Sequence, residues 1–442
     1  MPSRPLGLFA RLRHLKRDAL FREFLGFGST SVFVQVSRVA TGLVAASLLG
    51  PAVWGSWYLL NLIIAYGALT HLGVLNGMNR EVPSALGRGD PEEAVAMRRV
   101  ALATVLVTTT GVAATLLVTA VFLPSTVSLR ELALVLVLLV AHQAFGYATM
   151  CLKATTRFLV VARLQLVQAL AYPLCCIAGA WMYGLPGFIA GQIVTYAIVM
   201  AVALRHPEVV ASPWLDWERI RALVRIGFPI MLVGVVNTLF MTVDRWIVVA
   251  FMGTEPLGVY SLAIMALGAV GLLPQVIAQQ FYPRMAYDWA AHRDTRALRE
   301  LATGVRRMVF AATLPVAFVA LLVVPPAVHA FLPAYAQGIP ALLVTIFVPV
   351  IAAVGQGYGG VLHMLDRQVW LLVAIVVAAC LNAGFSALLV GPFGLVGVAW
   401  GTLAAFVCLS ALRVGLGERA LAQVERGHAG RGPARGAGAG SR

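Results

Sequence analysis

The chain has 442 residues, 60% of them apolar and only 12% charged. Soluble domains carry about 25% charged residues, and the mean hydropathy of +0.87 points the same way. Despite a formal net charge of +15, so much apolar side chain cannot hide behind so thin a polar shell. The composition therefore excludes a soluble enzyme, a nucleic-acid binder and a disordered chain, and leaves a multi-span membrane protein.

Residues 1–28 read as a cytoplasmic amphipathic segment. Leu8, Phe9, Leu12, Leu15 and Phe24 share one helical face, with arginines opposite. No small-residue cleavage site follows, so the first apolar run is expected to remain as a span. A span needs roughly 20 apolar residues, and twelve such runs follow: 29–50, 55–75, 100–123, 132–152, 164–183, 187–204, 226–251, 258–279, 308–324, 339–359, 369–389 and 393–412. Backbone groups in lipid must pair within their own segment, so these runs predict helices. The fold class is thus all-α and integral to the membrane, with an N-lobe at 29–205, a cytoplasmic linker at 206–225, a C-lobe at 226–412 and a basic, disordered tail at 413–442.

Arginine sets the orientation. With the N-terminus in the cytoplasm, 30 of the 33 Lys and Arg residues fall on the cytoplasmic side, Arg130 alone lies outside, and Arg38 and Arg245 fall within spans. This split follows the positive-inside rule, and it puts both termini in the cytoplasm. The basic charge is then spent on topology and anionic lipid heads. Cys151, Cys175, Cys176, Cys380 and Cys408 all lie in or beside apolar runs, without metal-ligand or disulfide spacing. No catalytic motif, metal set or cofactor fingerprint occurs, so the chain reads as a non-enzyme with no catalytic residues, metal site or cofactor.

The two halves echo each other. Gly50-Pro51 with Gly55 after the first span matches Gly253 with Gly258 after the seventh. Gly184-Leu185-Pro186-Gly187 matches Gly391-Pro392-Phe393-Gly394, and Arg88-Gly89-Asp90 matches His292-Arg293-Asp294. Six helices repeated in the same order imply two pseudo-symmetric lobes around a central cleft.

Charge inside a membrane costs several kcal/mol and marks candidate sites. Three residues qualify: Arg38 in the first span, and Asp244 and Arg245 in the seventh. These are equivalent helices of the two lobes. A guanidinium offers a fork of donors suited to phosphate oxygens. Asp244 reads as a structural partner of these arginines. Gln35, Asn61, Asn237 and Gln275, on spans 1, 2, 7 and 8, could meet sugar hydroxyls as a set, although each alone reads as a helix–helix hydrogen bond.

These features, with Arg80-Glu81 after the second span, resemble the polysaccharide transporter branch of the multidrug/oligosaccharidyl-lipid/polysaccharide (MOP) exporter superfamily. The second half resembles it most specifically, through Gly227-Phe228-Pro229, Val243-Asp244-Arg245, Leu257-Gly258-Val259-Tyr260-Ser261 and Phe281-Tyr282-Pro283. The resemblance implies a flippase in the bacterial cytoplasmic membrane that moves an undecaprenyl-pyrophosphate-linked oligosaccharide by alternating access, for O-antigen, capsule or exopolysaccharide synthesis. It implies a lipid-linked oligosaccharide and membrane lipids as partners, with a glycan polymerase and glycosyltransferases nearby, no nucleic acid, and a monomer. Three alternatives stand beside it: a lipid II flippase, an ion-coupled multidrug antiporter and a membrane glycan polymerase. Lipid II flippases have fourteen spans. The antiporters use a carboxylate in the first helix, where this chain has Arg38.

Overall fold

The structure, a computed structural model, describes residues 19–122 and 128–429. Most of the amphipathic segment read at 1–28 lies outside the described residues or has no described side chains. Among the described residues the fold is all helical: α1 (Ala19–Tyr66), α2 (Val74–Gly87), α3 (Pro91–Phe122), α4 (Leu129–Ala154), α5 (Phe158–Ala203), α6 (Trp217–Met252), α7 (Thr254–His292), α8 (Thr295–Phe331), α9 (Ile339–Thr345), α10 (Val348–Met364) and α11 (Gln368–Ala429). Nine helical stretches among them are long and apolar enough to cross a membrane. The sequence reading of twelve differs at three glycines. Gly50 in α1, Gly184 in α5 and Gly394 in α11 are non-helical residues that divide each helix into two arms.

Two compact units emerge. One holds the described residues up to Ser261 with His329–Gln337, and the other holds Leu262–Val328 with the chain from Gly338.

In the first unit, contacts along α1 show the reversal at Gly50. Thr30 donates to Gln165 (2.8 Å) and Ser37 to the Ala169 carbonyl (2.6 Å), and Leu49 approaches Gly184. Beyond the turn, Trp54 and Trp57 meet Phe188 edge-on at 5.3 and 5.2 Å, and Gly67 reaches Gln143. The first arm thus follows the first arm of α5, and the second returns beside its second arm. A short 3₁₀ turn, Gly67–Leu69, breaks the helix before α2. The freed Gly67 carbonyl accepts from the Thr70 hydroxyl (2.7 Å) and from Gln143 Nε2 (2.9 Å), and Thr70 also bonds Thr109 (2.9 Å). Such side-chain partners are what allow an interrupted helix at membrane depth. Val74, Met78 and Val82 of α2 then join Val100, Val105, Tyr147, Cys151 and Leu223 in one core.

The chain between α5 and α6 is held by backbone oxygens. Arg98 donates to the Glu208 carbonyl (2.6 Å) and Arg99 to that of Ser212 (3.0 Å), and Trp214 lies between the Arg99 and Arg219 guanidiniums. Asp216 caps α6 by accepting from the Glu218 and Arg219 amides, and Arg219 spans to Glu93 at 2.8 Å. The linker read at 206–225 is therefore partly helix, because Asp216 is a good N-cap.

In the second unit, α11 doubles back at Gly394. A side chain at Gly397 would run into the Leu389 backbone, and one at Gly401 into Ser386. The disordered tail read from 413 is corrected here up to Ala429. Residues 413–429 continue the helix, and Arg299 binds Glu418 (2.9 Å) and Glu425 (3.0 Å), while Tyr358 donates to Glu418 (2.6 Å). Leu421 is buried with Trp289 and Val361. The Gly- and Arg-rich composition that suggested disorder begins only beyond these contacts.

The internal repeat is visible in backbone dihedrals. Gly50 (φ 74°, ψ 166°) matches Gly253 (φ 92°, ψ −170°), and Gly184 (φ 64°, ψ −141°) matches Gly394 (φ 56°, ψ −136°). These conformations lie in or near a region that essentially only glycine occupies. The turns before α5 and α11 also agree. Thr156 and Asp366 have φ of 59° and 56°, and the Arg157 and Arg367 amides each donate five residues back at 2.8 Å. Asp90 and Asp294 both cap the helix that follows, at 3.0 and 2.8 Å. One register changes. Gly184 pairs with Gly394, not with Gly391, so the shared motif is Gly-Leu-x-Gly-x-x-x-Gly (184–191 and 394–401).

Candidate functional site

The first arm of α1 carries Arg38 beneath the Gly50 turn. Its guanidinium donates to the Tyr196 hydroxyl (3.4 Å) and lies 5.8 Å from the centre of the Tyr172 ring, both on α5. His142 of α4 stands edge-on to Tyr196 at 5.5 Å, within electrostatic reach of Arg38. Tyr196 is 6% exposed, whereas Arg38 itself is exposed.

Arg245 lies on α6 in the same unit, and Tyr58, on the second arm of α1, is within electrostatic range of both Tyr172 and Arg245. Arg245 is half-buried, its Nε has no hydrogen-bond partner, and neither arginine is in an ion pair among the described residues. Asp244 turns the other way. It is 4% exposed, accepts from the Arg245 backbone amide (2.8 Å), and accepts from Tyr260 (3.2 Å). Neighbouring residues on a helix are about 100° apart, so one braces α6 against α7 while the other keeps its donors free. Arg38 against its two phenols and Arg245 on α6 each offer guanidinium donors suited to an oxyanion.

The remaining candidates are not drawn in as closely. Gln35, Asn61 and Asn237 are half-buried in the first unit, while Gln275 is exposed in the second. The residues that sequence reasoning passed over are Tyr58, Tyr172 and Tyr196. Their signal was depth: tyrosine favours the membrane interface, and Tyr172 and Tyr196 fall near the middle of their runs.

The family model described as polysaccharide biosynthesis protein matches residues 93–335, more than half of the chain. The chain belongs to this family. None of the curated proteins is significantly similar in sequence. Among solved structures, an inward-facing multidrug resistance MATE family transporter of the MOP superfamily superposes with a TM-score of 0.64 at 15% identity, over 90% of this chain and 95% of that one. A mutant of the Vibrio cholerae MATE transporter VcmN gives 0.64 at 15% identity, over 92% and 98%. A MOP superfamily transporter from Pyrococcus furiosus, described as having a binding pocket of reversed polarity, gives 0.63 at 14% identity, over 93% and 98%. This polysaccharide biosynthesis family member therefore has the MATE-like fold and is a multi-pass membrane protein.

Proposed function

We propose that this MOP-superfamily transporter is a flippase for a lipid-linked oligosaccharide, acting in the bacterial cytoplasmic membrane with both termini in the cytoplasm. In this reading Arg38 and Arg245 hold the pyrophosphate, Tyr172 and Tyr196 position it at Arg38, and polar residues including Gln35, Asn61 and Asn237 meet the sugar. Two lobes give alternating access and carry the head group past the hydrocarbon. The protein works as a monomer beside glycosyltransferases and a glycan polymerase.

One observation carries the reading: Arg38 and Arg245 both lie within long apolar helices, and neither has an acidic partner among the described residues. A cation buried in a membrane is costly and is kept for a partner of opposite charge. The family description supports a glycan cargo. The Pyrococcus furiosus relative supports the idea that this fold hosts pockets of differing polarity. A cationic drug would be repelled by such a site, which disfavours the antiporter alternative.

The test is surface glycan in cells that depend on this chain. Arg38→Ala and Arg245→Ala should each abolish glycan delivery while protein levels in the membrane stay unchanged, and Arg38→Lys should restore only part of it. Full surface glycan in both alanine variants would remove the arginines from the mechanism.

A further inference from the structure

A cavity of about 920 Å³ lies between the second arm of α1, α3 and α6. Its walls include Leu59 and Ile63 from the second arm of α1, Val107, Val112 and Leu116 from α3, and Trp246 of α6. We propose that this cavity holds the hydrocarbon chain of a polyprenyl phosphate whose phosphate sits at Arg38 and Arg245. The proposal rests on the flippase reading and deepens it by giving the lipid tail a place.

Two facts select this occupant. The first is that the polar groups around the cavity are already satisfied within the protein. Trp246 Nε1 donates to Tyr66 (2.9 Å), which also bonds Thr242 (2.6 Å). The hydroxyls of Thr70, Thr108 and Thr115 donate to backbone carbonyls at 2.7, 2.7 and 2.9 Å. A polar ligand would find no free donor here, while a hydrocarbon chain loses nothing. The volume lies at the upper end of the roughly 300–1,000 Å³ of pockets that enclose a sizeable ligand.

The second fact is adjacency. On α6, Arg245 directly precedes Trp246, which lines the cavity and is hydrogen-bonded to Tyr66 on its opposite wall. A cationic group therefore stands one residue from the rim of an apolar compartment. A molecule with an anionic head joined directly to a long hydrocarbon chain matches that division. A diacyl phospholipid has a glycerol and two ester groups between its phosphate and its chains, and would place them against walls without donors.

Gly111 lines the cavity, and a side chain there meets nothing within 4 Å. Gly111→Phe therefore starts a side chain in open space and directs its bulk at the cavity. The measurement is binding of undecaprenyl phosphate to the purified full-length protein in detergent, by native mass spectrometry, with phosphatidylglycerol as competitor and butyl phosphate as a tail-less probe. The variant should weaken undecaprenyl phosphate binding by about tenfold or more, the scale of losing a buried anchor, and leave butyl phosphate binding unchanged. Equal binding of undecaprenyl phosphate by variant and wild type overturns the tail site and leaves the flippase reading intact. Effective competition by phosphatidylglycerol also overturns it and marks the cavity as a general lipid groove. Failure of the wild type to bind either phosphate overturns both. Should Gly111→Phe not fold, a diazirine-bearing polyprenyl phosphate on the wild type decides the matter. Crosslinks within 59–66 and 107–116 support the site, and crosslinks confined elsewhere refute it.

Discussion

Gly55→Ala is a direct test of how the first and seventh-to-eighth turns meet. Gly55, just past the Gly50 turn, faces Gly258, just past the Gly253 turn. A side chain on Gly55 would run into the Thr254 carbonyl and come within 2.8 Å of the Gly258 nitrogen; one on Gly258 would run into the Pro51 carbonyl and come within 2.9 Å of the Gly55 nitrogen. Both obstacles are backbone, so no rotamer change relieves them, and the helices must part. Overpacking of this kind costs about 1–3 kcal/mol. The Ala also gains roughly 0.5–1 kcal/mol through better helix propensity. The control is Gly234→Ala on α6, where a side chain meets nothing within 4 Å and only the gain applies. The two variants should therefore differ by about 1–3 kcal/mol, Gly55→Ala being the less stable. Thermal unfolding of each in detergent, followed by tryptophan emission, gives the comparison. Equal midpoints, or a more stable Gly55→Ala, would refute close packing of the two turns.

Three further outcomes follow from particular contacts. Gly184→Ala forces a side chain onto a φ of 64° and a ψ of −141°, which costs about 1–3 kcal/mol; an unchanged melting midpoint would contradict that backbone. Tyr172→Phe keeps the ring under Arg38 and removes a hydroxyl beside it, so it should reduce glycan delivery with little change in melting temperature; a stability loss without a delivery loss would make Tyr172 purely structural. Asp216 accepts from the Arg219 and Glu218 amides and pairs with the Arg219 side chain, and these interactions hold its carboxyl below the usual carboxylate range. Because the folded value is the lower one, its contribution is present above the ordinary value of about 3.9 and fades as pH falls through the folded value. Asp216→Ala should lower the melting midpoint at pH 7 and converge with wild type in acid; a gap that persists or widens in acid would refute this.

The apolar runs and the pseudo-repeat were legible because both rest on local chemistry. Lipid demands helices, and glycine is needed wherever φ is positive and ψ extended. The register of the Gly184 echo was not, since two glycines at 391 and 394 fit the pattern equally and only the backbone angle chooses Gly394. Arg38, Asp244 and Arg245 could be found as buried charges. Their division of labour, with Asp244 buried on Tyr260 and Arg245 left without a partner, needed the rotation of α6. The tyrosines against Arg38 were hidden because a membrane tyrosine usually belongs to the interface. The helix at 413–429 was missed because its stability comes from Arg299 and Tyr358, over a hundred and about sixty residues away in sequence.

The tips at Gly50–Gly55, Gly184–Gly187 and Gly391–Gly394 contain no charged side chain. Pushing such a tip through the hydrocarbon requires no ion to shed its water, and the two arms behind it satisfy their own backbone. During biogenesis each pair can therefore enter the bilayer as a ready-made hairpin, with the basic residues at its base left behind to stop it. A single Lys or Asp at one of these tips should slow insertion far more than the same residue at a cytoplasmic turn.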